Sequence, residues 1–183
     1  MRDFFQEQLN ELNLELTKMG AACEEIISLA SHSLTDYSGT LAKQVQTVGQ
    51  QIDESERTIE NICLKLLLRQ QPVARDLRQI SAAMKMITDM ERIGDQSEDI
   101  VDLIPKMERR ADEKYPKIRE MAKAAQAMVT EAVDAYVKQD LELAKKVMAH
   151  DDVVDDYFSR VKKGIIGIIA ENPDEGEYAL DLL

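Results

Sequence analysis

Aromatic residues are scarce in this sequence, which contains no Trp, three Phe and five Tyr. Seven Gly and four Pro leave few positions for tight turns. A β-sheet protein of this size would need many turns and many β-branched or aromatic residues. We therefore exclude a β fold, and the abundance of Leu, Ala, Met, Glu and Lys favours helices packed on helices.

Cysteine and long apolar segments are also scarce. The two cysteines, Cys23 and Cys63, fall at apolar positions of helical patterns, which predicts buried, reduced thiols. No apolar run approaches the ~18 residues of a membrane span, and the N-terminal segment continues into an amphipathic helix instead of a signal peptide. We expect a cytoplasmic protein that is at most peripheral to a membrane.

Positive charge is outnumbered by negative charge, with 23 Lys and Arg against 35 Asp and Glu, a net charge of −12. Nucleic-acid binding normally requires a basic surface, so no nucleic-acid partner is expected. One small basic cluster, Arg69, Arg75 and Arg78, surrounds Pro72. It could bind an anion or an acidic partner, but we expect these arginines to pair with neighbouring acids.

Apolar residues recur at spacings of three and four, which predicts five long helices and a short sixth one. The predicted helices span residues 4–35, 40–70, 74–104, 117–138 and 140–171, and the sixth begins near residue 174. Leu77 and Phe158 are among the residues expected to face inward.

An offset of 102 positions relates the first half of the chain to the second, pairing for example Met19 with Met121 and Asp53 with Asp155. Such a repeat predicts two units of one design. We expect an all-α fold of two tandem three-helix bundles, residues 1–105 and 117–183, joined by a charged linker at 106–116. The second bundle is expected to lack most of its last helix.

The third predicted helix carries an acidic stripe formed by Glu91, Asp95, Glu98, Asp99 and Asp102. These residues fall within a sector of about 100° at 3.6 residues per turn. Carboxylates four residues apart repel each other by roughly 0.2–0.5 kcal/mol per pair. A hard cation bound by oxygen ligands would remove this repulsion.

One helix can supply only part of a coordination sphere, so further ligands are sought on other helices. The candidate metal ligands are Glu91, Asp95, Asp99, Asp53, Asp152, Asp155 and Asp156. The metal is divalent or trivalent, and iron, zinc, manganese, magnesium and calcium all remain open. The competing interpretation is a metal-independent helical scaffold whose acidic stripe is a solvated face or a docking surface for a basic partner.

Motifs for catalysis are missing from the sequence. Neither His32 nor His150 follows a Glu by three residues, as a ferritin-like di-iron site requires. No Gly-rich phosphate loop or nucleophile motif is found. We therefore expect no enzymatic activity, and a metal-dependent hydrolase is the weakest of the alternatives.

Several motifs resemble those of the PhoU family, whose members are accessory regulators of bacterial phosphate-specific transport. The resemblance rests on Met1-Arg2-Asp3-Phe4, on Lys18-Met19-Gly20, on the segment from Gln71 to Arg78, and above all on Glu91-Arg92-Ile93-Gly94-Asp95. It covers essentially the whole chain.

The resemblance implies two three-helix bundles related by a pseudo-twofold axis. It also implies a negative regulator of the phosphate-starvation response, acting as an adaptor between the ATPase subunit of the phosphate transporter and a sensor histidine kinase. A homodimer is expected, with membrane association only through partners. Metal binding at Glu/Asp-x-x-x-Asp motifs is implied for Glu91 and Asp95.

Overall fold

A computed structural model of the chain describes residues 2–70, 72–107 and 116–183. It contains six α-helices: α1 Arg2–Ser33, α2 Gly39–Gln70, α3 Ala74–Leu103, α4 Pro116–Lys138, α5 Leu141–Glu171 and α6 Gly176–Asp181. No strand is found in those three ranges. None of the helices within them combines the length and apolarity that crossing a membrane requires.

The first three helices pack against one another around a continuous core. The apolar residues that recur at spacings of three and four form one row along α1, from Leu9 to Ala30, and one along α2, from Val45 to Leu66. We call these rows the seams of α1 and α2, and both are buried. Both cysteines are free and buried, as expected, and burial raises the pKa of Cys23 to about 12 and that of Cys63 to about 11. The buried thiols are therefore protonated near neutral pH.

The last three helices form a second unit with a smaller core. Val161 and Ile165 of α5 pack with Ala179 of α6, and Ile118 of α4 lies against them. Asn172 turns the chain here, because its side-chain oxygen accepts a hydrogen bond from the Asp174 amide at 3.3 Å.

The predicted truncation of the second bundle is corrected by this packing. The bundle is nearly complete: α4 and α5 are long, and α6, although only six residues, buries Tyr178 and Ala179. Two inward-facing assignments were also wrong, since Leu77 is 48% exposed and Phe158 is 44% exposed. The predicted linker at 106–116 lies largely outside the described residues, so its boundaries stay a prediction.

The two units meet through α1 and α4. Gly20 of α1 lies under Val133, whose Cγ2 atom would be 3.0 Å from a Cβ placed on the glycine. The side-chain Nε2 atom of Gln126 donates to the backbone carbonyl oxygen of Glu24 at 2.8 Å, across a sequence separation of 102 residues. This separation equals the repeat offset, so two repeat-equivalent positions touch where α1 packs on α4.

Candidate functional site

Helices α2 and α3 bring three carboxylates together. Asp53 of α2 and Glu91 and Asp95 of α3 each offer one oxygen atom, and these atoms lie within 4.8 Å of one another. Glu91 and Asp95 are one helical turn apart, so they project from the same side of α3. We call these three residues the acidic cluster.

A glycine lets the two helices approach closely at this level. Gly94 is buried, and a Cβ atom placed on it would lie 3.3 Å from the Cδ1 atom of Ile52. Ile52 immediately precedes Asp53, so the packing that buries Ile52 also holds Asp53 beside α3. A glycine costs roughly 1 kcal/mol relative to alanine inside a helix, and this contact gives that residue a packing role.

The electrostatics of the site favour a proton or a cation. Partial burial raises the pKa of Glu91 above its ordinary range, and the Asp95 and Asp53 carboxylates raise it further, against the opposing effect of Arg92. Arg92 lies 3.7 Å from Asp89 instead. Among the described residues, no Lys, Arg or His forms an ion pair with the acidic cluster.

Two further acids belong to the same electrostatic environment. Burial and the Glu91 carboxylate raise the pKa of Glu56 on α2. Burial and the Asp53 carboxylate raise the pKa of Glu98 on α3, whose side chain lies across Gly49 of α2. From the sequence, Glu98 was placed on the acidic stripe but not among the candidate ligands, whereas the pairing of α2 with α3 sets it apart from the exposed Asp99 and Asp102.

The other predicted ligands are not assembled into this group. Asp99 is exposed on α3, and Asp152, Asp155 and Asp156 are exposed on α5. Asp156 forms an ion pair with Arg160 at 2.5 Å. In the part of the chain that the structure describes, the acidic cluster is the one group of three potential ligands this close together.

The donor set of the acidic cluster fits a hard cation. Three carboxylate oxygens from two helices are the ligand type that Mg²⁺, Ca²⁺, Mn²⁺ and iron prefer. Such ions take about six or more ligands, so three side chains would leave positions for water or for other groups. A bound cation would also join α2 to α3 and offset the repulsion among the carboxylates.

The chain is similar to known proteins along nearly its whole length. The PhoU domain model matches residues 16–104 and 118–183. The chain is 32% identical over 181 residues to the phosphate-specific transport system accessory protein PhoU homolog of Pseudomonas aeruginosa, covering 98% of this chain and 75% of that protein. The homolog of the same name from Clostridium acetobutylicum is 32% identical over 173 residues, with 93% and 79% covered.

Two solved structures resemble the fold of this chain along nearly its whole length. The crystal structure of PhoU from Pseudomonas aeruginosa is similar with a TM-score of 0.86 and 31% identity, covering 97% of this chain and 86% of that chain. The PhoU structure from Streptococcus pneumoniae gives a TM-score of 0.80 at 22% identity, covering 97% of this chain and 87% of that chain. The second likeness shows the fold alone.

Proposed function

The chain belongs to the PhoU family, and from this premise we propose that it is a cytoplasmic negative regulator of phosphate uptake and of the phosphate-starvation response. The observation that carries the proposal is the near full-length relationship to accessory proteins of phosphate-specific transport. In this role the chain is an adaptor and not an enzyme. Its proposed partners are the ATPase subunit of the transporter and a sensor histidine kinase.

Deletion of the gene tests the regulatory role. We expect a phosphate-starvation reporter, such as secreted alkaline phosphatase, to become active at high phosphate, because the repressing adaptor is gone. A plasmid copy of the wild-type gene should restore repression. Normal repression in a deletion strain that carries no second family member would refute the proposal.

The acidic cluster is proposed as the metal site of this regulator. Support comes from the three oxygen atoms within 4.8 Å of one another and from the raised pKa of Glu91. The ion would supply positive charge at the α2–α3 contact, and Asp53, Glu91 and Asp95 would hold it. The exposed acids Asp99, Asp152, Asp155 and Asp156 remain weaker candidates.

Metal analysis separates this proposal from the metal-independent scaffold. Protein purified without chelator should contain metal by elemental analysis, and Asp95→Asn should lose most of it. Asp102→Asn is the matched control, because Asp102 lies on the same stripe of α3 outside the acidic cluster, and it should retain the metal. Equal metal content in wild type, Asp95→Asn and Asp102→Asn would contradict the site. That result would favour the metal-independent scaffold instead.

A further inference from the structure

A groove lies where α3 begins, α4 ends and α5 begins, and none of its lining residues belongs to the acidic cluster. Its volume is about 610 Å³, within the range of protein ligand sites. Small apolar side chains form much of its surface. They are Ala82, Ala132, Ala135, Ala144 and Val147, joined at the edge by Leu141, which is 67% exposed.

Two arginines line this groove without a carboxylate partner. The expected pairing with acids is wrong for Arg75 and Arg78, since neither forms an ion pair with any described residue. For Arg69 the pairing stays a prediction, because its side chain is not among those that the structure describes. The guanidinium of Arg75 donates instead to the side-chain oxygen of Gln139 at 2.5 Å. Gln139 is a neutral amide, so this contact orients Arg75 without offsetting its charge.

Negative charge among the residues that line the groove is limited to one carboxylate, in a chain of net charge −12. Asp140 is the one carboxylate among the lining residues. Its side chain already accepts a hydrogen bond from the Leu143 amide at 3.0 Å, as the N-cap of α5. The groove therefore presents two positive side chains and one carboxylate, which is engaged as a helix cap, beside an apolar floor.

The basic pair is not a requirement of the repeated fold. The two units share a helix cap at the corresponding place, since Ser38 caps α2 as Asp140 caps α5, one repeat offset of 102 residues later. Residues 172–183, which supply the start of the third helix in the second unit, contain no Lys or Arg. The charge is specific to one of two related positions, as expected for a recognition surface.

We propose that this groove binds an amphipathic helix of a partner protein, which places two carboxylates one turn apart against Arg75 and Arg78. The arginines are themselves one turn apart, and guanidinium groups bind carboxylates through paired hydrogen bonds. The alanine floor lets a helix backbone approach closely, with its apolar side chains against Leu141 and Val147. A partner helix of this kind would suit the proposed adaptor, and its biological meaning rests on that proposed function. Its binding to the groove can be measured independently.

Two synthetic 18-residue helical peptides, labelled with a fluorophore, test the proposal on the full chain. Both carry the same Ala/Leu face, and one has a Glu pair four residues apart where the other has Lys. Fluorescence anisotropy should show tighter binding of the Glu peptide. The Arg75→Glu/Arg78→Glu variant should weaken it about tenfold or more, because attraction becomes repulsion, and should prefer the Lys peptide.

Two further variants separate charge from groove shape. Lys85→Glu/Lys123→Glu makes the same change in net charge outside the groove and should retain the preference for the Glu peptide. Ala144→Trp fills the floor with both arginines intact and should weaken binding of the Glu peptide. Circular dichroism and urea unfolding confirm that each variant is folded.

Several outcomes would overturn the inference. They are absence of binding by both peptides, equal binding of the two, and undiminished binding after the Arg75→Glu/Arg78→Glu change. Binding of free glutamate or inorganic phosphate without either peptide would make the groove a small-anion site and also reject the helix. Failure of peptide binding alongside derepression in the deletion strain rejects the groove alone, whereas normal repression with intact peptide binding rejects the regulatory role alone.

Discussion

Glu91 shows at the scale of one residue how folding can bring like charges together. Its carboxylate lies close to those of Asp95 on its own helix and of Asp53 on α2. Burial is the largest cause of its raised pKa, and these two carboxylates raise the pKa further. The folded chain therefore holds a proton at Glu91 more tightly than the unfolded chain does. Ionisation of this residue above its raised pKa costs folding free energy.

The first prediction concerns Glu91→Gln in metal-free protein. Stability contributed by Glu91 is fully present below its ordinary pKa of 4.5 and is lost as pH rises through the raised pKa. The variant cannot ionise, so its advantage over the wild type should grow across that window and then stay constant. We expect it to be more stable by about 0.5 kcal/mol at pH 7, the size of one or two like-charge pairs.

Urea unfolding in chelator between pH 4 and pH 8 measures this difference. Glu120→Gln, the same change at an exposed position of α4, should leave stability nearly unchanged at all pH values. Addition of excess divalent cation should reverse the order of wild type and Glu91→Gln, because a ligand of the folded state stabilises it in proportion to the logarithm of its concentration. A less stable variant in chelator would mean that the Glu91 carboxylate makes a net favourable contact.

At the scale of the helix, the two units use equivalent caps. The Ser38 hydroxyl accepts from the Leu41 amide at 3.1 Å, and Asp140 accepts from the Leu143 amide at 3.0 Å. Each cap satisfies one amide that would otherwise lack a partner in the first turn. The repeat therefore extends from the buried seam to the first turn of the middle helix in each unit.

The second prediction is that Ser38→Ala and Asp140→Ala each lower the free energy of unfolding by about 1 kcal/mol, the usual value of an N-cap. The double variant should lose the sum, because distant sites with no shared partner add. Asp140→Asn is the control, since asparagine caps equally well without the charge. Urea unfolding curves provide the measurement, and a loss confined to one of the two caps would show that the equivalence is geometric only.

Helix positions could be predicted from the sequence because each depends on local periodicity. The seams of α1 and α2 are buried as predicted, and Pro72 and Pro105 lie just beyond the ends of α2 and α3. Leu77 and Phe158 were misplaced because an apolar residue on a helical stripe is buried only where another helix covers that part of the stripe.

The candidate site could be predicted only in part. The i, i+4 spacing of Glu91 and Asp95 indicated their shared face, and the structure brings Asp53 beside them. The choice of Asp53 over Asp99 or the α5 acids depends on the register between α2 and α3, which no single-helix pattern contains. The groove arginines were misjudged for the same reason, because their neighbour Gln139 comes from another helix.

Gln139 illustrates a further limit of sequence analysis. It has a φ of 52°, a left-handed conformation in which glycine is usual after a helix. Its side-chain oxygen accepts a hydrogen bond from Arg75, and its side-chain nitrogen donates to the Gln79 side-chain oxygen at 3.3 Å. A glycine there would relax the backbone but would remove both contacts to α3, and the sequence contains no signal for this conformation.

At the scale of the whole molecule, the contact between α1 and α4 joins the two units. Val133 is the α4 residue buried in the core of the first three helices, where it lies over Gly20. The Thr130 hydroxyl donates to the Glu24 carboxylate at 2.9 Å beside this contact. Close approach of α1 and α4 therefore requires a residue without a large side chain at position 20.

The third prediction is that Gly20→Leu destabilises the protein by about 1–3 kcal/mol, the usual cost of overpacking a close contact. The control is Ala21→Leu, which adds a similar side chain at the adjacent, exposed position and should change stability by less than about 0.5 kcal/mol. Urea unfolding followed by circular dichroism measures both. Equal effects of the two substitutions would show that α1 and α4 can move apart without loss.

The contact between Glu24 and Gln126, one repeat offset of 102 residues apart, has an evolutionary consequence. In a symmetric homodimer of a three-helix protein, every substitution appears twice, once on each side of the axis. In this chain the same geometry is encoded by two separate stretches of gene, so a mutation changes one side only. Natural selection can therefore shape the two halves independently while the shared architecture is preserved, and the acidic cluster of the first three helices is one feature on which such selection could act.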